Sequence, residues 1–282
     1  METTAVWFVT GASQGMGMVL VKELLSEGYR VAATSRSIGK LTRELGTKTE
    51  RFLPLEVDLV NEASVADAVR STLAHFGSLD VVVNNAGYGQ LGTVEEVTDA
   101  EARANYDVNV FGVLNVLRAS LPQLRDRRAG HVFNISSIGG YVGGFSGWGI
   151  YCSSKFALAG LSEALSEDLQ PFGVKVTLVY PGYFRTNFLG QDAVARPRQP
   201  IAAYESARAS ERQHLDSING NQPGDPQKLS RALIEAYRLK NPPLHLFLGT
   251  DAVAMAESKL AVVEQALDQH RALSTSTDYA KA

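Results

Sequence analysis

Ala5-Val6-Trp7-Phe8-Val9 is a continuous apolar run. It leads into Thr10-Gly11-Ala12-Ser13-Gln14-Gly15-Met16-Gly17, after which Met18, Val19, Val21, Leu24 and Leu25 recur at helical spacing as far as Gly28. Few folds accept that succession. A short strand that is apolar at every position suits burial on both faces, as in a parallel sheet. Glycines at 11, 15 and 17, between a strand and a helix, allow a tight turn and close backbone approach. The helix start adds free N–H groups, so the segment stands where a dinucleotide pyrophosphate loop requires it, although three glycines alone are as readily only a turn and the spacing differs from the common G-x-G-x-x-G. Gly11, Ser13, Gln14, Gly15, Met16 and Gly17 are its candidate cofactor contacts. Residues 30–34 read as a second strand followed by polar Ser35-Arg36-Ser37, which completes one βαβ crossover.

The alternation continues with strands expected at 52–57, 79–83, 131–135 and 174–179, and helices at about 62–76, 101–127 and from Tyr151 to about 170. This period predicts an α/β fold, a doubly wound Rossmann-type parallel sheet with helices on both faces and right-handed crossovers. Beyond Pro181 the rhythm breaks. Residues 189–224 are polar and contain prolines, with one helical piece near 204–217, and an insertion of that kind in a compact domain is read as a mobile substrate lid. A helix capped by Asp225-Pro226, a last strand at 244–248 and a final helix capped by Thr250-Asp251 complete a single domain over 1–282, with a frayed end from Ser274.

Composition narrows the function. A formal charge of −3 offers nucleic acid no attraction. Cys152 is the only cysteine, so no intrachain disulfide forms. His75, His131, His214, His245 and His270 have no metal-ligand spacing and read as surface or loop residues, so no metal is expected. The first apolar run reads as a strand and not a signal peptide, and no stretch reaches the roughly 20 apolar residues of a membrane span. A cytoplasmic protein without a membrane partner is the expectation.

Tyr151 and Lys155 stand four residues apart at the start of the helix that follows Ser136-Ser137 and the glycine-rich Gly139-Gly140-Tyr141-Val142-Gly143-Gly144. Residues i and i+4 share a helix face, so the lysine ammonium can favour the phenolate and draw its pKa down from about 10. Taken with the opening loop, this combination resembles the short-chain dehydrogenase/reductase family. The resemblance spans roughly residues 5 to 190.

The resemblance implies roles residue by residue. Asp58 and Leu59 would hold the adenine ring, and Asn85, Ala86 and Gly87 of Asn84-Asn85-Ala86-Gly87 would lie against the cofactor ribose. Pro181, Gly182 and Thr186 would face the nicotinamide. Asn109 would hold a water for proton relay. Of the two adjacent serines it selects Ser137 as catalytic beside Tyr151 and Lys155, although the loop from Ser137 to Tyr151 is one residue longer than is commonest in the family. Lys155 would also bond the ribose hydroxyls. Phe145, Trp148 and Phe188 flank these motifs as candidate substrate contacts.

The residue ending the second strand selects between the two nicotinamide coenzymes. Ser35 occupies the place of the acid that binds an unphosphorylated ribose, and Arg36 follows it, which predicts NADP(H); Gln14, where a basic residue often precedes the second glycine, is the opposing clue. The implied activity interconverts a carbonyl and an alcohol on a predominantly apolar small molecule, in a homodimer or homotetramer. One alternative is a catalytically silent NADP-binding regulator or scaffold, but Ser137, Tyr151 and Lys155 are all present. A sugar-nucleotide epimerase or dehydratase would more typically show Gly-x-x-Gly-x-x-Gly and a longer C-terminal domain.

Overall fold

A computed structural model describes residues 4–190 and 193–279. Gln191 and Asp192, within the expected lid, lie outside the described residues. The chain runs β1 (Val6–Val9), α1 (Gly15–Ser26), β2 (Arg30–Ser35), α2 (Ile38–Leu45), β3 (Phe52–Glu56), α3 (Glu62–Phe76) and β4 (Val81–Asn84). It continues through β5 (Gly89–Gln90), α4 (Asp99–Tyr106), α5 (Gly112–Arg127), β6 (Gly130–Ile135), α6 (Gly149–Leu169) and β7 (Val174–Pro181). The remainder is β8 (Val194–Ala195), α7 (Glu205–Arg212), α8 (Pro226–Arg238), β9 (His245–Leu248) and α9 (Thr250–Thr275).

Seven strands form one parallel sheet in the order β3-β2-β1-β4-β6-β7-β9. The order reverses direction at β1 and β4, paired Trp7 to Val81, so their carboxyl ends flank the crevice where such sheets take ligands. Alternate β1 side chains divide between two cores. Trp7 and Val9 pack with Leu20, Leu24, Leu229 and Leu233 of α1 and α8. Val6 and Phe8 pack with Val65, Val116 and Leu158 of α3, α5 and α6. Each large side chain so buried contributes about 1.5–3 kcal/mol, which fixes the strand ends that carry the site.

Local signals set several boundaries. Asn61 accepts from Ser64 N at 3.1 Å to start α3, and Gly77 at φ 77° ends it. Three details differ from expectation. Helix α2 follows the expected polar turn at 35–37, over residues for which no element is expected, and is capped by Ser37, whose hydroxyl accepts from Lys40 N at 3.3 Å. The helix expected over 101–127 is divided by a π-helical stretch, Asp107–Phe111, around buried Asn109. Asp251 does not cap α9; its carboxylate accepts from Tyr183 N at 2.6 Å and anchors the turn after β7.

Candidate active site

Thr10, at the end of β1, organises the crevice. Its hydroxyl accepts from Asn85 N at 3.0 Å and Ala86 N at 3.1 Å, and lies 3.3 Å from Val83 O. The Asn85 amide in turn donates to Thr10 O at 2.8 Å and Gly11 O at 3.2 Å. Gly11 has φ +67°, and a Cβ there would stand 2.8 Å from Ala86 Cα, so only glycine fits. Gln14 precedes α1 in extended backbone without a side-chain cap, which leaves the first N–H groups of the helix to an incoming anion. The cradle therefore fits a dinucleotide.

A cavity of about 290 Å³ extends from this cradle, and every residue singled out from sequence for cofactor, substrate or catalysis lines it except Gly17 and Asn109. Gly17 lies behind the loop, where a Cβ would meet the Asn85 amide and come within 2.7 Å of Gly11 O; it provides space and not a contact. Asn109 is fully buried. Its amide nitrogen lies 3.0 Å from Tyr88 O, 3.2 Å from Asn105 Oδ1 and 3.1 Å from Ser154 Oγ, while its oxygen accepts from Tyr88 N at 3.1 Å. Its side chain is thus spent on holding the loop after β4 against α6.

At one end of the cavity Ser35, Arg36, Asp58 and Leu59 come together. Two residues there escaped the sequence reading. Lys40 Nζ donates to Gln14 Oε1 at 2.6 Å, so a cation from α2 stands behind the uncharged glutamine. Glu56, the β3 partner of Ser35, brings a carboxylate to the same strand ends, but it accepts from Ile38 N at 3.1 Å and caps α2.

At the other end the Ser136 hydroxyl is committed to Lys155 O at 3.1 Å. Ser137 accepts from Gly139 N at 3.1 Å and hydrogen-bonds with Tyr151. A 3₁₀ turn, Ile138–Gly140, follows Ser137. Lys155 Nζ donates to Ile135 O at 2.9 Å and lies 6.0 Å from the Tyr151 ring centre. A Cβ at Gly87 would stand 3.3 Å from that Nζ.

The electrostatics differ from the expectation that Lys155 lowers the tyrosine. Burial pushes the Tyr151 phenol well above its ordinary value, and the bond with Ser137 opposes this only in part. Burial also pulls Lys155 down to about 8. Desolvation, which disfavours the charged form of each, is the leading cause of both shifts.

Phe145, Trp148 and Phe188 pack with Leu91, Leu189 and Val194 into an apolar wall, Phe188 5.7 Å and Trp148 5.8 Å from Tyr151 between ring centres. Tyr183, His214 and Gln222 also line the cavity and were missed in sequence. His214 and His131 are buried, contrary to their reading as surface or loop residues. The segment beyond β7 is fastened through Glu96. Its carboxylate accepts from Thr93 N at 2.7 Å, Ile201 N at 2.7 Å and Arg208 at 2.9 Å.

Residues 5–196 match the family described as short chain dehydrogenase. The chain belongs to that family. A short-chain dehydrogenase from Streptomyces avermitilis superposes with a TM-score of 0.89 at 36% identity, covering 98% of this chain and 100% of that one. The 3-ketodihydrosphingosine reductase of Bacteroides thetaiotaomicron is 37% identical over 243 residues, 86% of each protein. A short chain dehydrogenase from Burkholderia cenocepacia in complex with NADP has a TM-score of 0.71 at 28% identity, over 97% of this chain and 99% of that one. The short-chain dehydrogenase described here is thus an NAD(P)-binding oxidoreductase with a Rossmann-type fold. Among the described residues there is no cluster of three or more metal-ligating side chains and no helix long and apolar enough to cross a membrane.

Proposed function

We propose that the protein is an NADP(H)-dependent oxidoreductase that interconverts a ketone or aldehyde and the corresponding alcohol on a predominantly apolar small molecule, with Tyr151 as proton donor and acceptor. The observation that carries this reading is the meeting of Ser137, Tyr151 and Lys155 in the cavity that also contains the glycine loop. Gly11, Gly15 and the start of α1 would hold the pyrophosphate, Asp58 and Leu59 the adenine, and Ala86, Gly87 and Lys155 the ribose. Bound there, the nicotinamide coenzyme supplies or accepts the hydride.

In the reducing direction Ser137 bonds the substrate carbonyl oxygen and Tyr151 gives it a proton. The raised phenol pKa keeps that proton in place until a basic oxygen forms beside it. Asn109 keeps the Tyr88 loop and α6 in register, so any proton relay at this point runs past its main chain and not its engaged amide.

NADP(H) is favoured by Ser35, by Arg36 and by Lys40 behind Gln14, with Glu56 withdrawn to cap α2. Phe145, Trp148 and Phe188 supply apolar walls, with residues 189–224 as the lid. A homodimer or homotetramer in the cytoplasm completes the reading, supported by exposed Phe111 and Phe156 beside the long central helices and by exposed Leu260, Val263 and Leu267 along α9. Initial rates with a panel of ketones, aldehydes and secondary alcohols, each with NADPH or NADH and their oxidised forms, test the reaction. Turnover confined to NADH, or none with any member, rejects it.

A further inference from the structure

The apolar wall beside Tyr151 is interrupted by a small polar group that the proton transfer does not use. His214 Nδ1 lies 2.7 Å from Ser210 O. A carbonyl oxygen only accepts, so Nδ1 carries the ring proton and Nε2 is left with a lone pair. The Tyr183 hydroxyl, 2.9 Å from Nε2, must then be the donor of that bond. Its own oxygen has only lone pairs to offer to the cavity it lines. Gln222 is 1% exposed and lines the same cavity, and its amide oxygen has no hydrogen-bond partner in the protein. Its main chain is held separately, the carbonyl accepting from Arg185 at 3.1 Å and the neighbouring Gly224 N donating to Tyr183 O at 2.9 Å. Trp148 Nε1 is likewise buried without a partner, its ring 4.9 Å from His214 and 5.8 Å from Tyr151 between centres.

One acceptor, Gln222 Oε1, and one donor, Trp148 Nε1, therefore go unanswered in the cavity that holds Tyr151, with the free lone pairs of the Tyr183 hydroxyl in the same cavity, and a buried polar atom left unpaired is costly. We infer that this group recognises a hydroxyl carried by the substrate close to its reacting carbonyl, the hydroxyl donating to Gln222 or Tyr183 and accepting from Trp148. The charge pattern excludes the other common polar groups. Among the described residues, the charged side chains lining the cavity are Arg36 and Asp58, at the opposite end, and Lys155, whose ammonium is bonded to Ile135. Among the described residues a carboxylate or phosphate placed beside Tyr183 and Gln222 would find no cation free to pair with it, and an ammonium would find no carboxylate. A neutral hydroxyl, with one proton to donate and lone pairs to accept, answers one acceptor and the indole donor at once. Burial holds Tyr183 up at about 12, so the phenol stays neutral and its bond to His214 persists across the working range.

This inference rests on the oxidoreductase reading, and the two are separable. The probe is a pair of ketones of equal chain length, one with a hydroxyl on the carbon next to the carbonyl and one with a methyl there, together with the alcohols they yield. With saturating NADPH, wild type should favour the hydroxyketone in kcat/KM by about tenfold or more, since a site built for a hydroxyl rejects the analogue that lacks it. In Gln222→Leu that ratio should collapse toward one, with the Kd for NADPH within about twofold of wild type. Equal kcat/KM for the pair in wild type overturns the inference. So does a Gln222→Leu that keeps the ratio but loses NADPH, which would give the amide to the coenzyme. Calorimetric binding of the two alcohols to NADP-loaded Tyr151→Phe reads the site without turnover. A preference for the diol there, with no reaction in wild type, keeps the subsite and rejects the activity; equal binding rejects the subsite whatever the activity.

Discussion

Lys40 Nζ and Gln14 Oε1 are 2.6 Å apart, which joins a cation on α2 to the glycine loop at a position where the loop has none of its own. Arg36 lines the cavity at the same end. Arg36→Ala should weaken NADPH binding by about 1–3 kcal/mol, the scale of a hydrogen bond to a charged group, and barely affect NADH. Lys40→Ala should show the same bias at about 1 kcal/mol, because its charge reaches the coenzyme from behind Gln14. Fluorescence titration of both coenzymes measures this. Equal losses for the two would remove the 2′-phosphate from the account.

Tyr151→Phe should lower kcat by at least about 10²-fold, since it removes the proton donor. The ring keeps its place between Trp148 and Phe188, so Tm and NADPH affinity should hold. Near wild-type turnover, with chemistry shown to be rate-limiting, would unseat Tyr151.

Lys155 should appear in the pH profile. Burial lowers its pKa from 10.5 to about 8, so the ammonium is intact below pH 8 and lost above it. In the reducing direction kcat/KM should fall with the loss of one proton as pH rises through about 8. Lys155→Ala should raise the coenzyme Kd as well as lower turnover. A profile flat from pH 7 to 9 would separate the charge from the reaction, and an unchanged Kd would remove the ribose role.

Glu96 should hold part of the substrate segment still while the rest responds to ligand. Burial works to raise its pKa, but N–H bonds from Thr93 and Ile201 and the charge of Arg208 outweigh it, so the carboxylate stays ionised. Glu96→Gln should cost up to about 3 kcal/mol, less than a fully buried pair because Arg208 keeps Glu211 at 3.1 Å. In hydrogen exchange, amides near 201–209 should be protected throughout, and those near 213–222 should gain protection with coenzyme and substrate. No change across 189–224 would reject the lid.

His131 should make the fold sensitive to acid. Its Nε2 lies 2.9 Å from Thr177 Oγ1, whose own proton goes to Pro243 O at 2.8 Å, so the neutral ring is the donor. Burial first, then Lys175, pushes its pKa from 6.5 to about 3. Between those values the unfolded chain takes up a proton that the folded one refuses. Stability is therefore full above pH 6.5 and is lost as pH falls toward 3, by at most about 1.4 kcal/mol per pH unit. Urea unfolding at pH 7 and pH 5 should show a smaller loss for His131→Gln than for wild type; equal losses would exclude His131 as the cause.

What could be read from the sequence was what is decided within a few residues. Asn61 and Gly77 bound α3 where their chemistry places them, and the glycine spacing marked the strand-to-helix turn at β1. The π-helical stretch at Asn109 left no such mark, because an extra residue in a turn needs no particular side chain. Tyr183 and His214 meet only through the path the chain takes after β7, and Lys40 reaches Gln14 only because α2 folds back on the loop. The raised pKa of Tyr151 is hidden for a related reason: pattern shows which charges are neighbours but not how much water has been removed from around them.

Thr10 holds both turns that face the coenzyme through a single oxygen, between two strands whose apolar residues are fully buried. Those turns move only if the middle of the sheet comes apart. The cavity-lining residues that follow β7 are held to the body of the fold by single side chains, Glu96 at Ile201 N and His214 at the Tyr183 hydroxyl. A change confined to the residues after β7 can therefore reshape the cavity while Phe145, Trp148 and the turns around Thr10 keep their places.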